Sequence, residues 1–162
     1  MTSNPVRVLP RINHIVLKVR DLDRSIDFYC AVFAYEESME RFDDNAQALL
    51  RARGSDNHHD LSFQRVAVDA PAPQRGAVGL YHFALEVEEF DDLLAAREKL
   101  IAMNALTAEF DTGATLSIYG RDPDGHTFEV MWELPREAWG STSLVLELCR
   151  SIFKPRVRSG VK

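Results

Sequence analysis

The chain has 162 residues, of which 46% are hydrophobic, and its formal net charge is −6 at pH 7. This length suits one domain or two small modules that share a core. The acidic balance argues against nucleic-acid binding, which normally needs a basic face, and no apolar run reaches the roughly 18 residues of a membrane-spanning helix. The first residues, MTSNPVRVLPR, lack the apolar stretch of a secretory signal. We therefore expect a cytoplasmic protein that binds neither nucleic acid nor a membrane, with its two cysteines reduced.

The first half of the chain predicts one helix among four strands. The helix is DLDRSIDFYCAVF (21–33), whose apolar residues recur with helical period, and Asp21 or Asp23 is the expected N-cap. The predicted strands carry alternating or β-forming residues and are separated by turn residues. They are RINHIVLKV (11–19), YEESMERF (35–42), AQALLRAR (46–53) and HHDLSFQRV (58–66).

The second half of the chain repeats the first after the Pro/Gly-rich link DAPAPQRGAVG (69–79). At an offset of 68 residues, HIVLKVRDLDRS aligns with HFALEVEEFDDL, so that His14 matches His82. The Asp-Pro-Asp-Gly stretch at 122–125 predicts a turn, because Pro fixes φ and Gly accepts positive φ. The predicted elements are GLYHFALEV (79–87), a helix near 89–103, ALTAEF (105–110), TLSIYGR (115–121) and HTFEVMWE (126–133).

The repeat predicts an α+β fold built from two tandem βαβββ modules. Module one covers about 10–68 and module two about 78–134, within a single domain of residues 1–134. The remaining residues, 135–162, form a C-terminal extension that has no counterpart in the repeat. Within it, TSLVLELCRSIF predicts a short amphipathic helix.

Three side chains of metal-binding type lie on three predicted strands. Because successive strand residues point to opposite faces, His14, His82 and Glu129 each project early along their own strand. Two imidazoles and one carboxylate suit non-haem Fe(II) and leave coordination positions open, although Zn²⁺ or Mn²⁺ also accept this set. The simpler alternatives are a hydrogen-bonded strand histidine at His14 and an exposed edge carboxylate at Glu129.

The paired modules with HIVLKV, YHFALEV and DPDGHTFEV resemble the vicinal oxygen chelate superfamily over about residues 10–134. This superfamily includes glyoxalase I, the bleomycin and fosfomycin resistance proteins, methylmalonyl-CoA epimerase and the type I extradiol dioxygenases. The resemblance implies two modules that curl into an open β-barrel-like cleft around a metal. It also implies that His14, His82 and Glu129 are the metal ligands and that the protein forms a homodimer or a higher homo-oligomer.

The stretch NHHDLSF (57–63) resembles the HH-x-L-x-F stretch of the extradiol dioxygenases. The match implies that His59 is the acid/base histidine and that His58 lies near the substrate. Tyr119, three residues before the Asp of the DP pair, is implied as a hydrogen-bond donor to the substrate. The expected protein is an Fe(II)-dependent oxidoreductase of aromatic catabolism that cleaves a catechol-like aromatic diol with O2. Otherwise the two histidines are solvated turn residues and Tyr119 an ordinary strand aromatic.

Two other functions fit the same superfamily. A glyoxalase I-like lyase or isomerase with Ni²⁺, Zn²⁺ or Mn²⁺ would take a fourth ligand, for which Asp60 is the acidic candidate. On a regular strand His59 and Asp60 cannot both face the cleft, and the apolar Leu61 and Phe63, on the face of His59, favour His59. The third candidate is a metal-free drug-binding protein of the bleomycin-resistance type, which would lack the ligand set. We expect His126, in the turn, to be a surface residue.

Overall fold

The fold is taken from a computed structural model that describes residues 11–38, 41, 46–74 and 76–140. Within these ranges the chain forms the predicted α+β arrangement of two tandem βαβββ modules. The predicted helix of the C-terminal extension lies outside the described residues. The elements, in chain order, are β1 Ile15–Val19, α1 Leu22–Phe33, β2 Glu36–Glu37, β3 Gln47–Arg51, β4 Leu61–Arg65, β5 Phe83–Glu86, α2 Phe90–Ala102, β6 Leu106–Asp111, β7 Thr115–Arg121, β8 Thr127–Glu133 and a 3-10 turn Arg136–Ala138.

Each module forms one four-stranded sheet, and the two sheets have the same strand order. The first sheet is ordered β1-β4-β3-β2 and the second β5-β8-β7-β6. β1 runs parallel to β4 and β5 parallel to β8, whereas the other neighbours are antiparallel. The described strands of the two sheets do not join into a closed barrel. This matched order confirms the repeat that the sequence indicates.

Helix α1 begins and ends where its sequence predicts. The Asp21 carboxylate accepts a hydrogen bond from the Arg24 amide at 3.1 Å, which confirms one of the two expected N-caps. The helix ends at Ala34, whose φ of 53° is left-handed and whose amide donates to the Cys30 carbonyl oxygen at 3.1 Å. The ends of this helix therefore follow from local hydrogen bonds.

Both sheets pack one face against the aromatic residues of α1. The Tyr29 ring lies 5.3 Å from that of Phe63 on β4, and the Phe28 ring lies 6.0 Å from that of Phe128 on β8. Phe33 also packs edge-on against Phe128, with ring centroids 5.5 Å apart. The buried residues of the two modules thus form one continuous hydrophobic cluster. Because strand side chains alternate, the other face of each sheet points away from this shared core.

The Asp-Pro-Asp-Gly turn of module two holds the modules together. The Tyr29 hydroxyl donates to Asp122 at 3.2 Å, and the Arg20 guanidinium pairs with Asp124 at 2.8 Å. His126 contributes a third contact, because its Nε2 lies 2.8 Å from the Lys18 carbonyl oxygen. His126, predicted to be a surface residue, is half-buried, and its contact joins two modules whose packing the sequence does not reveal.

Several strands are shorter than predicted. β1, β4 and β5 begin only after the histidines, so that His14, His59 and His82 lie just before regular pairing starts. The predicted strand 35–42 is described as a strand only at Glu36–Glu37. None of the described helices is both long and apolar enough to cross a membrane.

Candidate metal site

His82 and Glu129 lie together on the outer face of the second sheet. β5 pairs Ala84 with Glu129 of β8, so that His82, two residues earlier, points to the same face. The His82 Nε2 atom lies 3.1 Å from the Glu129 Oε2 atom, and the two side chains are 28% and 13% exposed. The other ring nitrogen of His82, Nδ1, is buried without a hydrogen-bond partner among the described residues.

This spacing fits two neighbouring ligands of one divalent ion. Ligand atoms about 2.1 Å from an ion, at right angles to each other, lie about 3.0 Å apart. The observed separation of 3.1 Å is close to that value. His82 and Glu129 therefore have the donor types and the spacing for two sites of an octahedral ion.

Tyr119 completes this cluster as a protonated phenol. It stands directly opposite Glu129 in the β7–β8 pairing, and its ring lies 5.4 Å from the His82 ring at nearly a right angle. Burial raises the pKa of Tyr119 to about 12, and the neighbouring Glu129 carboxylate adds to the increase. The phenol hence keeps its proton at neutral pH and can donate a hydrogen bond.

His14 belongs to a second cluster, at the edge of the first sheet. Its ring lies 4.4 Å from the His59 ring, and its Nδ1 atom lies 3.0 Å from the Asn13 side-chain oxygen. The Nδ1 atoms of His58 and His59 are 3.1 Å apart. Partial burial lowers the pKa of His59, and the neighbouring His14 and His58 lower it further. The structure thus brings the three histidines of the first module together.

Asp60 is bound to its own turn. Its carboxylate accepts hydrogen bonds from the Ala52 amide at 2.8 Å, the Ser55 hydroxyl at 2.9 Å and the Asn57 side chain at 2.8 Å. Burial by itself would raise the pKa of Asp60, but these hydrogen bonds outweigh burial and the pKa lies below its ordinary value. The carboxylate therefore closes the β3–β4 turn.

The position equivalent to Glu129 in the first module is Ser62. β1 pairs Val16 with Ser62 as β5 pairs Ala84 with Glu129, and Val16 and Ala84 match in the repeat. Ser62 is buried, with 5% of its surface exposed. The first module thus offers a hydroxyl, and not a carboxylate, at the place where a symmetrical fourth ligand would lie.

One argument from the sequence is wrong in detail. Leu61 and Phe63 do not line a cleft beside His59, because they are 1% and 0% exposed in the core under α1. The alternation of β4 is as predicted, but its apolar face is the one that packs on the helix. His59 reaches His14 because it precedes β4 and is free of the strand's alternation.

Two asparagines that the sequence did not single out support the first cluster. The Asn13 amide nitrogen donates to Asn57 at 3.2 Å, and Asn57 in turn donates to Asp60. Asn13 is thereby held where its oxygen meets His14. The signal was present in the sequence, since both asparagines directly precede a histidine.

The chain by itself does not gather the full predicted ligand set. Among the described residues, no three histidine, cysteine, aspartate or glutamate side chains are grouped so that they could hold a metal ion. His82 and Glu129 lie on the second sheet, whereas His14 lies on the first, and each cluster is on the face opposite the shared core. The three-ligand set and the roles of His58, His59 and Tyr119 therefore stay predictions.

Comparison with known proteins shows the family of the chain. Residues 11–130 match the family model described as the Glyoxalase/Bleomycin resistance protein/Dioxygenase superfamily. The chain belongs to this superfamily, which confirms the resemblance noted in its motifs.

Two relatives of the chain are dioxygenases. The chain is 32% identical to the catechol-2,3-dioxygenase of Bacillus subtilis (strain 168) over 79% of this chain and 43% of that protein. It is 25% identical to the biphenyl-2,3-diol 1,2-dioxygenase 2 of Rhodococcus globerulus over 75% of this chain and 62% of that protein. The chain thus spans less than two thirds of the length of either dioxygenase.

A solved structure shows the same fold. The fosfomycin resistance protein FosX of Listeria monocytogenes, in complex with Mn(II) and sulfate, superposes with a TM-score of 0.61 at 20% identity. The match covers 81% of this chain and 96% of the FosX chain. This likeness shows that the chain and FosX share the fold.

Proposed function

We propose that this protein is an Fe(II)-dependent extradiol dioxygenase that cleaves a catechol-like aromatic diol with O2. The observation that carries the proposal is the 3.1 Å spacing of His82 and Glu129 beside the protonated Tyr119. The names of the two relatives, a catechol and a biphenyl-diol dioxygenase, supply the substrate class and the reaction. The predicted ligand set is His14, His82 and Glu129.

The distribution of the ligands supports a site shared between two copies of the chain. His14 lies on the outer face of the first sheet, and the pair His82–Glu129 lies on the outer face of the second. Both outer faces point away from the core that the two sheets share. A two-fold dimer that places the first sheet of one copy over the second sheet of the other would bring His14 to this pair. The homodimer expected from the sequence is thus part of the proposal.

Each remaining site residue has a role that follows from its surroundings. Bound Fe(II) supplies the redox chemistry between the diol and O2 and lowers the pKa values of the diol hydroxyls. Burial and the neighbouring histidines lower the pKa of His59, which favours the neutral imidazole, and in this form His59 can accept a proton from the diol. His58 contacts and orients His59, and Tyr119 donates a hydrogen bond to the bound substrate.

A glyoxalase I-like lyase with Mn²⁺, Zn²⁺ or Ni²⁺ is the second candidate. The similarity to FosX with Mn(II) favours it, because that protein shares the fold and holds a different metal. Against it, Ser62 stands at the place of a symmetrical fourth carboxylate, and Asp60 is occupied by three hydrogen bonds. A metal-free drug-binding protein is the third candidate, and it accounts for the 3.1 Å contact of His82 with Glu129 as an ordinary hydrogen-bonded pair. The presence of all three predicted ligand types, His14, His82 and Glu129, speaks against it.

Anaerobic reconstitution tests the proposal. The purified protein is loaded with Fe(II), exposed to a panel of catechols and O2, and followed by absorbance, because ring-opened products are yellow. Glu129→Gln should lose iron and activity, whereas Glu133→Gln, an exposed carboxylate on the same strand, should keep both. His59→Ala should lose turnover and keep iron. Turnover of a glutathione hemithioacetal with Ni²⁺, and no coloured product from any catechol, would replace the proposal with the lyase.

A further inference from the structure

A cavity of about 380 Å³ lies where the two modules meet. Its walls come from the end of β1, the link between the modules and the Asp-Pro-Asp-Gly turn. None of the predicted metal ligands lines it, so it is separate from the candidate metal site. The volume is within the range of about 300–1,000 Å³ that small-molecule sites occupy.

Most of the wall is apolar. Val66, Ala70, Pro71 and Pro73 contribute this surface, and the two prolines stiffen the link because their ring fixes φ. An apolar surface of this kind is favourable to cover with a compact hydrocarbon or an aromatic ring. It therefore favours a ligand with an apolar body.

Arg20 supplies a fixed cationic group at one side of the cavity. Its Nε atom donates to the Ala70 carbonyl oxygen at 2.9 Å, and its terminal nitrogen donates to Asp124 at 2.8 Å. These two contacts use two of the five N–H donors of a guanidinium, and the side chain is 26% exposed. Arg20 is thus held in place with further donors for a planar anionic group.

Lys18 gives the cavity an excess of positive charge. Asp124 and Arg20 offset each other as an ion pair, whereas the exposed Lys18 has no ion-pair partner among the described residues. His126, which also lines the cavity, directs Nε2–H to the Lys18 carbonyl oxygen and adds no charge when neutral. The charges that line the cavity therefore favour an anion.

We propose that this cavity binds a small organic anion, a carboxylate on a compact apolar or aromatic body. The carboxylate would lie against Lys18 and Arg20, and the body would cover Val66 and the prolines. An inorganic anion would leave the apolar wall uncovered, and a neutral ring would leave the charges unpaired. The proposal does not rest on the dioxygenase function.

Amide chemical shifts of the ¹⁵N-labelled full chain test the cavity, with benzoate as the probe. The experiment uses protein without added metal and repeats it with His82→Ala, so that binding at the metal site cannot contribute. Benzoate should shift the amides of Val66, Ala70 and His126. Benzamide, which is neutral, and phosphate, which has no apolar body, should each bind at least about tenfold more weakly.

A charge variant identifies the group that selects the anion. Lys18→Gln should weaken benzoate binding about tenfold, which is the size expected for losing one charged hydrogen bond. Arg53→Gln removes an exposed cation that does not line the cavity and should leave the affinity unchanged. Equal affinity for benzoate and benzamide, unchanged affinity in Lys18→Gln, or shifts confined to β5 and β8 would each overturn the proposal.

Discussion

Mixing two inactive variants tests whether the metal site lies between two copies of the chain. His14→Ala removes the predicted ligand on the first sheet, and His82→Ala removes one on the second sheet. Each variant alone should bind little metal. In a mixed dimer, however, one site loses both histidines and the other regains the full set.

The expected recovery follows from the placement of the ligands. Two-fold symmetry gives each dimer two sites, each with His14 from one copy and the pair His82–Glu129 from the other. Equal mixing and random assortment make half of the dimers mixed, and half of their sites are whole. Metal content and turnover should therefore recover to about one quarter of the wild-type values in the unfractionated mixture and to about one half in purified mixed dimers.

The assay uses co-expression of the two variants with different affinity tags. Mixed dimers are purified through both tags, loaded with Fe(II) and desalted, and their iron is then measured together with catechol turnover. The control combines His82→Ala with Glu129→Gln, because these changes damage the same half of the site and no mixed dimer has a whole one. No recovery in purified mixed dimers, or full iron content in His14→Ala alone, would refute the shared site.

Three further predictions concern single residues. Gly120→Ala should lower the free energy of unfolding by about 1–3 kcal/mol in chemical denaturation, because its Cβ would come within 2.7 Å of Cε2 of the fully buried Phe128; an unchanged midpoint would contradict this packing. Asp60→Asn should cost about 1 kcal/mol at pH 7 through weaker hydrogen bonds in its turn. Since the pKa of Asp60 is lowered in the fold, its contribution is present above its ordinary pKa and is lost as the pH falls; denaturation curves of the two proteins should therefore converge below about pH 4. Tyr119→Phe should lower kcat at least about tenfold while the iron content is kept. Because the pKa of Tyr119 is raised to about 12, the pH profile of the wild-type rate should show no ionisation of this phenol near neutral pH.

The internal structure of each module could be predicted from the sequence. Each copy of the repeat begins with a histidine, continues as a strand with alternating residues and then becomes a helix, and this pattern predicted the element order. Asp21 marked the start of α1. The direction of the apolar faces could not be predicted in the same way. Period-two alternation shows that the faces of β4 differ, but it does not show that Leu61 and Phe63 pack under a helix.

The site could be predicted only in part. The residue types of His82, Tyr119 and Glu129 were evident, and strand pairing brings them together. The separation of His14 from this group depends on how the modules pack, and that packing rests on Tyr29, Phe128 and a few polar contacts. A repeat describes each copy and carries no information on their mutual placement.

The turn before the last strand of each module carries a histidine at the equivalent position, and the two copies have diverged. In module two, His126 makes a hydrogen bond that connects its turn to the neighbouring module. In module one, the matching His59 makes no such attachment among the described residues and meets His14 instead. An ancestral duplication would explain this difference, because only one of two equivalent histidines is needed to join the modules, and the other is then free to change its contacts.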